Sequence, residues 1–346
     1  MSKIKVFLGG YINYTNAQNL NCRAIGEHLN KDKFDVYALK VHFGDNKKYS
    51  LKSFNCFKPF SITQHFGFLW GILNCDIAYL PKHIDTPLWV LKLAKLLKKP
   101  IFTTIEGNVN DLSQDHNLIG LFRSQQKMKS HFTYFKAVFG ITQKLINNTH
   151  QVIKMRETPL SLGIVVKNFS HHNKEKLFSI VFVGRLLKRK GVYEFIALAK
   201  LYHNIQFKII GEGSEQQSLQ NLAPLNVSFF GKLNHNEMDA IFSSSDLLFL
   251  PSKSEGFPKV ILEAASAGIS SIVYNTYGAS NWINDRENGF IVNDFNEVKN
   301  IVDELLNDSI LLQNTSKGAV KLAQKFDWRN IILDWEKVIV DLQNGK

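Results

Sequence analysis

Cysteine is scarce: Cys22, Cys56 and Cys75 are the only three in 346 residues. Their odd number and irregular spacing exclude a disulfide framework and a zinc ribbon, and they read as free thiols of a reducing cytoplasm. An Asp-x-Asp triplet is missing, and no His/Cys cluster has ligand spacing, so no metal is expected. Long apolar runs are missing too. The longest, from Phe66 to Cys75, stops at Asp76 and is too short to span a bilayer. There is no low-complexity tract and no repeat of fixed period. The opening "KIKVFLGG" already reads as a strand entering a glycine turn, so no signal peptide is expected.

Acidic residues are sparse in one half only. Residues 1–172 carry 23 Lys/Arg against 10 Asp/Glu, whereas residues 173–346 carry 19 against 20, within an overall charge of +12. A basic half suits an anionic partner: acidic lipid, a phosphorylated acceptor or nucleic acid. A solubilising surface is the alternative reading, but it leaves the one-sidedness unexplained.

Short apolar, β-branched runs alternate with helical patterns almost throughout. "IKVFLGG", "FDVYALKV", "DIAYL", "PIFTTIEG" and "KAVFGIT" read as strands of the first half, and "FSIVFVGRL", "QFKIIGEG", "VSFFGKL", "DLLFLPS" and "ISSIVYN" as strands of the second. Such alternation predicts α/β architecture, with two Rossmann-like doubly wound domains whose helices cover both faces of parallel sheets. The expected divisions are 1–172, 173–326 and a closing helix, 327–346. Ligands of open parallel sheets bind beyond the carboxyl ends of the strands, and the chemistry-bearing residues of the second half fall there.

"FVGRLLKRKG" sets Gly184, Arg185, Lys188, Arg189 and Lys190 in one turn, a planar fork and point charges that would suit a diphosphate. A solvated basic turn would look the same. "IIGEGSE" places Gly211 and Gly213 after the next strand, where a ligand could approach the backbone. "PSKSEGFPKVILEA" places Glu255 in a turn and Glu263 about one and a half turns into a helix, with Pro258 in the first helical turn. The helix start would favour an anion, and a glutamate inside the helix could accept both hydroxyls of a ribose. Capping by Glu255 and a surface position for Glu263 are the alternatives, although the apolar neighbours Ile261, Leu262, Ala264 and Ala265 set Glu263 in a buried neighbourhood.

Together these segments resemble the retaining glycosyltransferases of family 4, which have the GT-B fold. "GRLLKRKG", "GEG", "EGFPKVILEA" and "ENGFIV" recur in the family's order, and Glu255 and Glu263 match its E-x7-E signature. The resemblance is dense over residues 178–293, and "FDWRNIILDWEKVI" looks like the family's final helix, which crosses back to the first domain. It implies two domains facing across a cleft, the first binding the acceptor and the second the nucleotide sugar. By the same resemblance Arg185 and Lys190 hold the donor diphosphate, Glu263 the ribose and Glu255 the transferred sugar. Gly184, Gly211, Gly256, Phe257 and Pro258 complete the donor site. Transfer would retain anomeric configuration, with the leaving phosphate helping to deprotonate the acceptor and no cofactor or metal. Asn281 stands where many relatives carry a glutamate, and no role is carried onto it.

Before residue 160 only the family's outline is visible. Gly9 and Gly10 follow the first strand, as in a loop near the donor diphosphate, but the glycine usual before the helix is missing. Glu106 in "PIFTTIEGN" stands where relatives have a histidine, and reads either as an acceptor or sugar contact or as a structural strand-end acid. Two basic-aromatic stretches, "LKVHFGDNKKYSLKSFNCFKPF" and "FRSQQKMKSHFTYFK", would suit an anionic membrane surface. "TPLWVLKLAKLLKK" instead reads as a helix packed on the sheet with one wet lysine stripe. The expectation is a cytoplasmic hexosyl- or related glycosyltransferase, peripheral on the inner face of the membrane. Its partners would be a nucleotide sugar and a lipid-linked or polysaccharide acceptor of bacterial surface synthesis, and nucleic acid is not expected. A GT-B epimerase or phosphorylase, or a non-catalytic membrane- or nucleic-acid-binding scaffold, are the rival readings.

Overall fold

The computed structural model describes residues 2–107, 109, 118–166, 169–170 and 174–345. The chain divides into two compact units, Met1–Gly163 with Trp328–Lys346, and Ile164–Asp327. The first break thus precedes the position expected from composition by nine residues. Ile164 belongs with the second unit because it bridges to Asp327 and its N–H donates to the Phe326 carbonyl at 2.9 Å.

In the first unit β1 (Ile4–Tyr11), β2 (Phe34–Val41), β3 (Lys52–Cys56), β4 (Ile77–Tyr79), β5 (Ile101–Ile105) and β6 (Ala137–Gly140) form one parallel sheet in the order β3-β2-β1-β4-β5-β6. The second unit repeats the plan with β7 (Ser179–Val183), β8 (Gln206–Ile210), β9 (Val227–Phe229), β10 (Leu247–Leu250), β11 (Ser270–Tyr274) and β12 (Phe290–Val292), ordered β12-β11-β10-β7-β8-β9. The chain therefore reverses direction between β1 and β4, and again between β7 and β10. These reversals leave a crevice beyond the carboxyl ends of the strands. Both edge strands β3 and β12 escaped the sequence reading. β12 is apolar but only three residues long, and β3 carries Lys52 and Asn55 exposed, so it lacks the apolar run of a strand buried on both faces.

Apolar packing fills both faces. The first core gathers Phe7, Phe68, Ile72, Leu80, Val90, Leu91 and Ile105, and the second Phe182, Phe195, Phe207, Leu248, Phe249 and Ile272. The helix Trp328–Gln343 belongs to the first unit: Trp335 is fully buried against Tyr79 and Phe102, and its indole N–H donates to the Ser161 carbonyl at 2.9 Å. Glu336 accepts from the Asn30 N–H at 2.8 Å. Cys22, Cys56 and Cys75 are all buried and unbonded to one another. Burial pushes the Cys56 thiol up to about 11 and Cys75 to about 12, so both stay protonated at neutral pH.

Candidate functional site

In the second unit three turns at the carboxyl edge lock together through their backbones. The Gly184 N–H donates to the Ile210 carbonyl, and the Leu186 N–H to that of Glu212, at 3.0 and 2.9 Å. Gly211 has φ +136°, and a Cβ there would lie 1.9 Å from the Gly184 carbonyl oxygen. Only glycine tolerates both conditions. Gly191, φ +70°, sits against the Pro251 carbonyl in the same way, at 2.2 Å. Close approach of the turns by itself requires glycine at both positions. Gly184 is different, since its Cβ would meet only the Phe182 ring, at 3.4 Å.

That backbone packing brings charge to both sides of the β7/β10 reversal. Lys188–Lys190 form a single 3-10 turn closed by Gly191, and the helix Val192–Leu201 follows. Lys190 Nζ donates to Glu255 Oε1 in a short ion pair, with the two side chains only 15% and 11% exposed. A second pair runs the opposite way: Glu194, from the helix after the basic turn, reaches Lys253 in the turn before Glu255, at 3.4 Å. Tyr274, at the end of β11, donates its hydroxyl to Glu194. Burial, then that carboxylate, raise its phenol above the usual range. Arg185 projects into solvent from the turn after β7.

The helix after Glu255 runs Lys259–Ser266, so Pro258 is its cap residue, one position before the first turn where the sequence placed it. Pro258 itself makes no side-chain capping bond. Glu263 is 16% exposed and lies 3.4 Å from His235 Nε2. His235 opens the helix His235–Ser243 after β9, a residue that sequence reasoning did not single out. Gly256 is half-buried, and the Phe257 ring packs on Trp282 and Phe326 at 5.7 and 5.5 Å. Asn281 Nδ2 donates to the Gly278 carbonyl at 2.9 Å. Tyr277, from the same loop, is 5% exposed with a hydroxyl that has no partner among the described residues. Burial and then the Glu255 charge hold its phenol protonated.

The first unit places its candidates differently. β1 does not end before Gly9 and Gly10 but runs through them to Tyr11, and both glycines are buried where its register against β2 is irregular. A Cβ at Gly10 would lie 2.6 Å from Cys22 Sγ, and one at Gly9 2.7 Å from a Leu80 methyl, so packing already requires both glycines. Glu106 stands at the carboxyl end of β5, with Asn21 Nδ2 3.4 Å from Oε2. It lines a cavity of about 440 Å³ together with Gln18, Lys82, His83, Asp85 and Thr104.

Lys82 and His83 follow β4 and were missed, although "YLPKH" also lies at the carboxyl end of a strand, where ligands of open parallel sheets bind. Lys82 is 7% exposed, pairs with Asp85 at 3.0 Å and lies over the Tyr11 ring. His83 Nε2 is 3.2 Å from the Thr104 carbonyl, and its Nδ1 has no partner among the described residues. Burial, then the neighbouring His131, lower its pKa to about 3, so it is a neutral ring whose Nε2–H faces the carbonyl. Among the described residues no group of three His, Cys, Asp or Glu side chains is placed to hold a metal.

Residues 166–322, nearly the whole second unit, match the family model described as glycosyl transferases group 1, so that unit is a glycosyltransferase group 1 domain. The first curated relatives align over 48–60% of their own length, so the chain spans about half to three fifths of them. A longer match, 25% identical over 79% of this chain and 80% of the other, is to the N,N'-diacetylbacillosaminyl-diphospho-undecaprenol alpha-1,3-N-acetylgalactosaminyltransferase of Campylobacter jejuni. Among solved structures, sucrose-phosphate synthase from Thermosynechococcus elongatus has TM-score 0.81 at 15% identity, covering 99% of this chain and 100% of that one. Anabaena HepE in complex with UDP-glucose has TM-score 0.76 at 16% identity, covering 98% and 100%. At such identities the likeness shows the fold, which is that of GT-B glycosyltransferases.

Proposed function

We propose that the chain moves a sugar from a nucleotide diphosphate donor to a hydroxyl acceptor with retention of anomeric configuration. The observation that carries this reading is the pairing of Lys190 with Glu255 across the β7/β10 reversal, beside exposed Arg185. An unliganded cation paired with a carboxylate is a site held ready for exchange. A diphosphate offers Lys190 and Arg185 two charges, and Glu255 is then released toward the sugar hydroxyls. Arg185, Lys190 and the helix start after Pro258 would offset the charge that develops on the leaving diphosphate, so no metal is required of the mechanism. Glu263 takes the two ribose hydroxyls.

Bond making and breaking balance without a side-chain base. The acceptor oxygen bonds to the anomeric carbon on the face that the phosphate oxygen leaves, and that phosphate oxygen takes the acceptor proton. In the first unit Lys82, His83 and Glu106 form the acceptor cavity, with Glu106 accepting from hydroxyls and Lys82 facing any acceptor phosphate. The Campylobacter relative is named for a lipid-diphosphate acceptor, and HepE was solved with UDP-glucose. Those names support a UDP-sugar donor, and a lipid-linked or growing surface glycan as acceptor at the cytoplasmic face of a bacterial membrane.

Thermal stabilisation by UDP, GDP, ADP and their sugar conjugates, in EDTA, tests the donor half. A ligand at a hundred times its Kd adds about 2.7 kcal/mol of apparent stability. One nucleotide family should raise the melting temperature of wild type, and Glu263→Ala should weaken that response about tenfold in ligand concentration, for the loss of two hydroxyl hydrogen bonds. No shift with any nucleotide would remove the donor site and leave the second unit a scaffold.

A further inference from the structure

The two helices on one side of the first sheet are apolar on the wrong face. In Phe60–Asn74, Thr63, Gly67, Phe68, Gly71 and Ile72 are buried against the sheet. Ile62, Phe66 and Leu73 stand 54–56% exposed on the outside, with half-buried Leu69 between them, at steps of four, three and four residues. That is a second apolar stripe, where a surface helix of a soluble domain carries polar residues. The neighbouring helix Leu88–Leu96 buries only Val90, Leu91 and Ala94, and leaves Trp89 39% and Leu96 78% exposed. The single wet lysine stripe expected there is thus interrupted by large apolar side chains.

Side-chain bonds join the two stripes into one face. Trp89 Nε1 donates to His65 Nδ1 at 3.0 Å with the rings stacked, and Lys99 Nζ donates to the Leu73 carbonyl at 3.0 Å. Neither helix holds an Asp or Glu, and Lys58, Lys92, Lys95 and Lys98 rim the face. By contrast, the basic-aromatic stretch from Arg123 puts Phe132 and Phe135 in the core, and its exposed side chains are basic or polar, so it has no apolar stripe to insert.

We propose that this face docks on an anionic lipid bilayer, with Phe66, Leu73, Trp89 and Leu96 in the headgroup–acyl boundary and the lysines on lipid phosphates. Apolar area plus basic residues is the combination that holds an amphipathic surface at an interface. A second copy of the chain is the poorer occupant, because a two-fold pairing would set the same lysine rim against itself with no carboxylate on either helix. Lys82–Asp85, which line the cavity in this unit, lead directly into the helix Leu88–Leu96. A lipid-borne acceptor would therefore reach the cavity from the docked surface. That last link rests on the function proposed above; docking itself does not.

Flotation of the full chain with phosphatidylcholine vesicles, with and without phosphatidylglycerol, tests it. Wild type should partition to the anionic vesicles and leave them as salt rises. Phe66→Gln/Leu96→Gln and Lys92→Glu/Lys95→Glu should each bind at least about tenfold more weakly, with unchanged melting and unchanged nucleotide shifts. Absence of binding at low salt, or binding that neither double variant weakens, overturns the proposal. So does a wild-type dimer in sedimentation that Phe66→Gln/Leu96→Gln dissociates while vesicles are ignored. Vesicle binding without any nucleotide shift would keep the docking face and sink the transferase reading; the reverse would do the opposite.

Discussion

The two units share one strand order and use its reversal point in opposite ways. Beyond β7 and β10, glycines at 191 and 211 let whole turns touch through their backbones, and the contact zone is filled with charge pairs, Lys190 with Glu255 and Glu194 with Lys253. Beyond β1 and β4 the glycines are consumed inside the strand, against Cys22 and Leu80, and the edge keeps a cavity lined by Lys82, the neutral His83, Asp85 and Glu106. The same topology thus yields a charge-dense edge suited to a diphosphate in one unit, and in the other a roomy, weakly charged one suited to a varied acceptor. Net charge divides the other way, with the excess of lysine on the unit whose carboxyl edge is less charged. Five of those basic residues, Lys58, Lys92, Lys95, Lys98 and Lys99, lie in or beside the outward helices.

The comparison breaks hardest at Glu255. Glu255→Gln keeps an acceptor for Lys190 Nζ, so the chain should fold, while turnover of the identified donor should fall by roughly two to three orders of magnitude, as when one preorganised charge is lost from a site. Undiminished turnover would take Glu255 out of the mechanism.

Glycine chemistry gives the next contrast. Gly211→Ala should destabilise the chain by about 3 kcal/mol or more in urea denaturation, since it adds a positive-φ strain to a Cβ placed 1.9 Å from a carbonyl. Gly184→Ala, with nothing nearer than a ring atom at 3.4 Å, should stay within about 0.5 kcal/mol. Any effect on nucleotide affinity at Gly184 would then come from the ligand and not from folding.

A last contrast concerns the acid side of the first unit. Burial lowers His83 to about 3 and His131 to about 4, so as pH falls through the unfolded-state value near 6.5 the unfolded chain gains protons that the folded one refuses. Stability is full above that pH and declines below it, by roughly 1.4 kcal/mol per pH unit for each ring. The decline should run at full slope to about pH 4, where His131 titrates in the fold, and at about half slope to about pH 3, where His83 does; chemical denaturation of a His83→Gln variant should show about half the slope above pH 4.

Much of this was legible beforehand. Ten of the twelve strands announce themselves as apolar runs because central strands of a parallel sheet are buried on both faces. The turns carrying Arg185, Lys190 and Glu255 were legible for a related reason: each directly follows such a run, and the carboxyl edge is where this architecture exposes side chains; Glu263 lies in the helix that the last of these turns leads into. Other features gave no such signal. Lys82 and His83 look like ordinary turn residues until β4 and β5 are set side by side. Tyr277 reads as one more loop aromatic, and only packing shows its hydroxyl enclosed beside Glu255.

By itself, then, the sequence determined the alternation of strand and helix, the doubling of the α/β plan and the identity of the charged turns, all of which are local or periodic properties of the chain. Tertiary structure alone decided which strands flank each reversal, and hence that Lys190 meets Glu255 rather than solvent. It also decided that Gly9 and Gly10 belong to packing, and that Phe66 and Leu96 face outward while Phe132 and Phe135 face in. Periodicity states that a helix has apolar residues on two sides; only the position of the sheet states which side is covered.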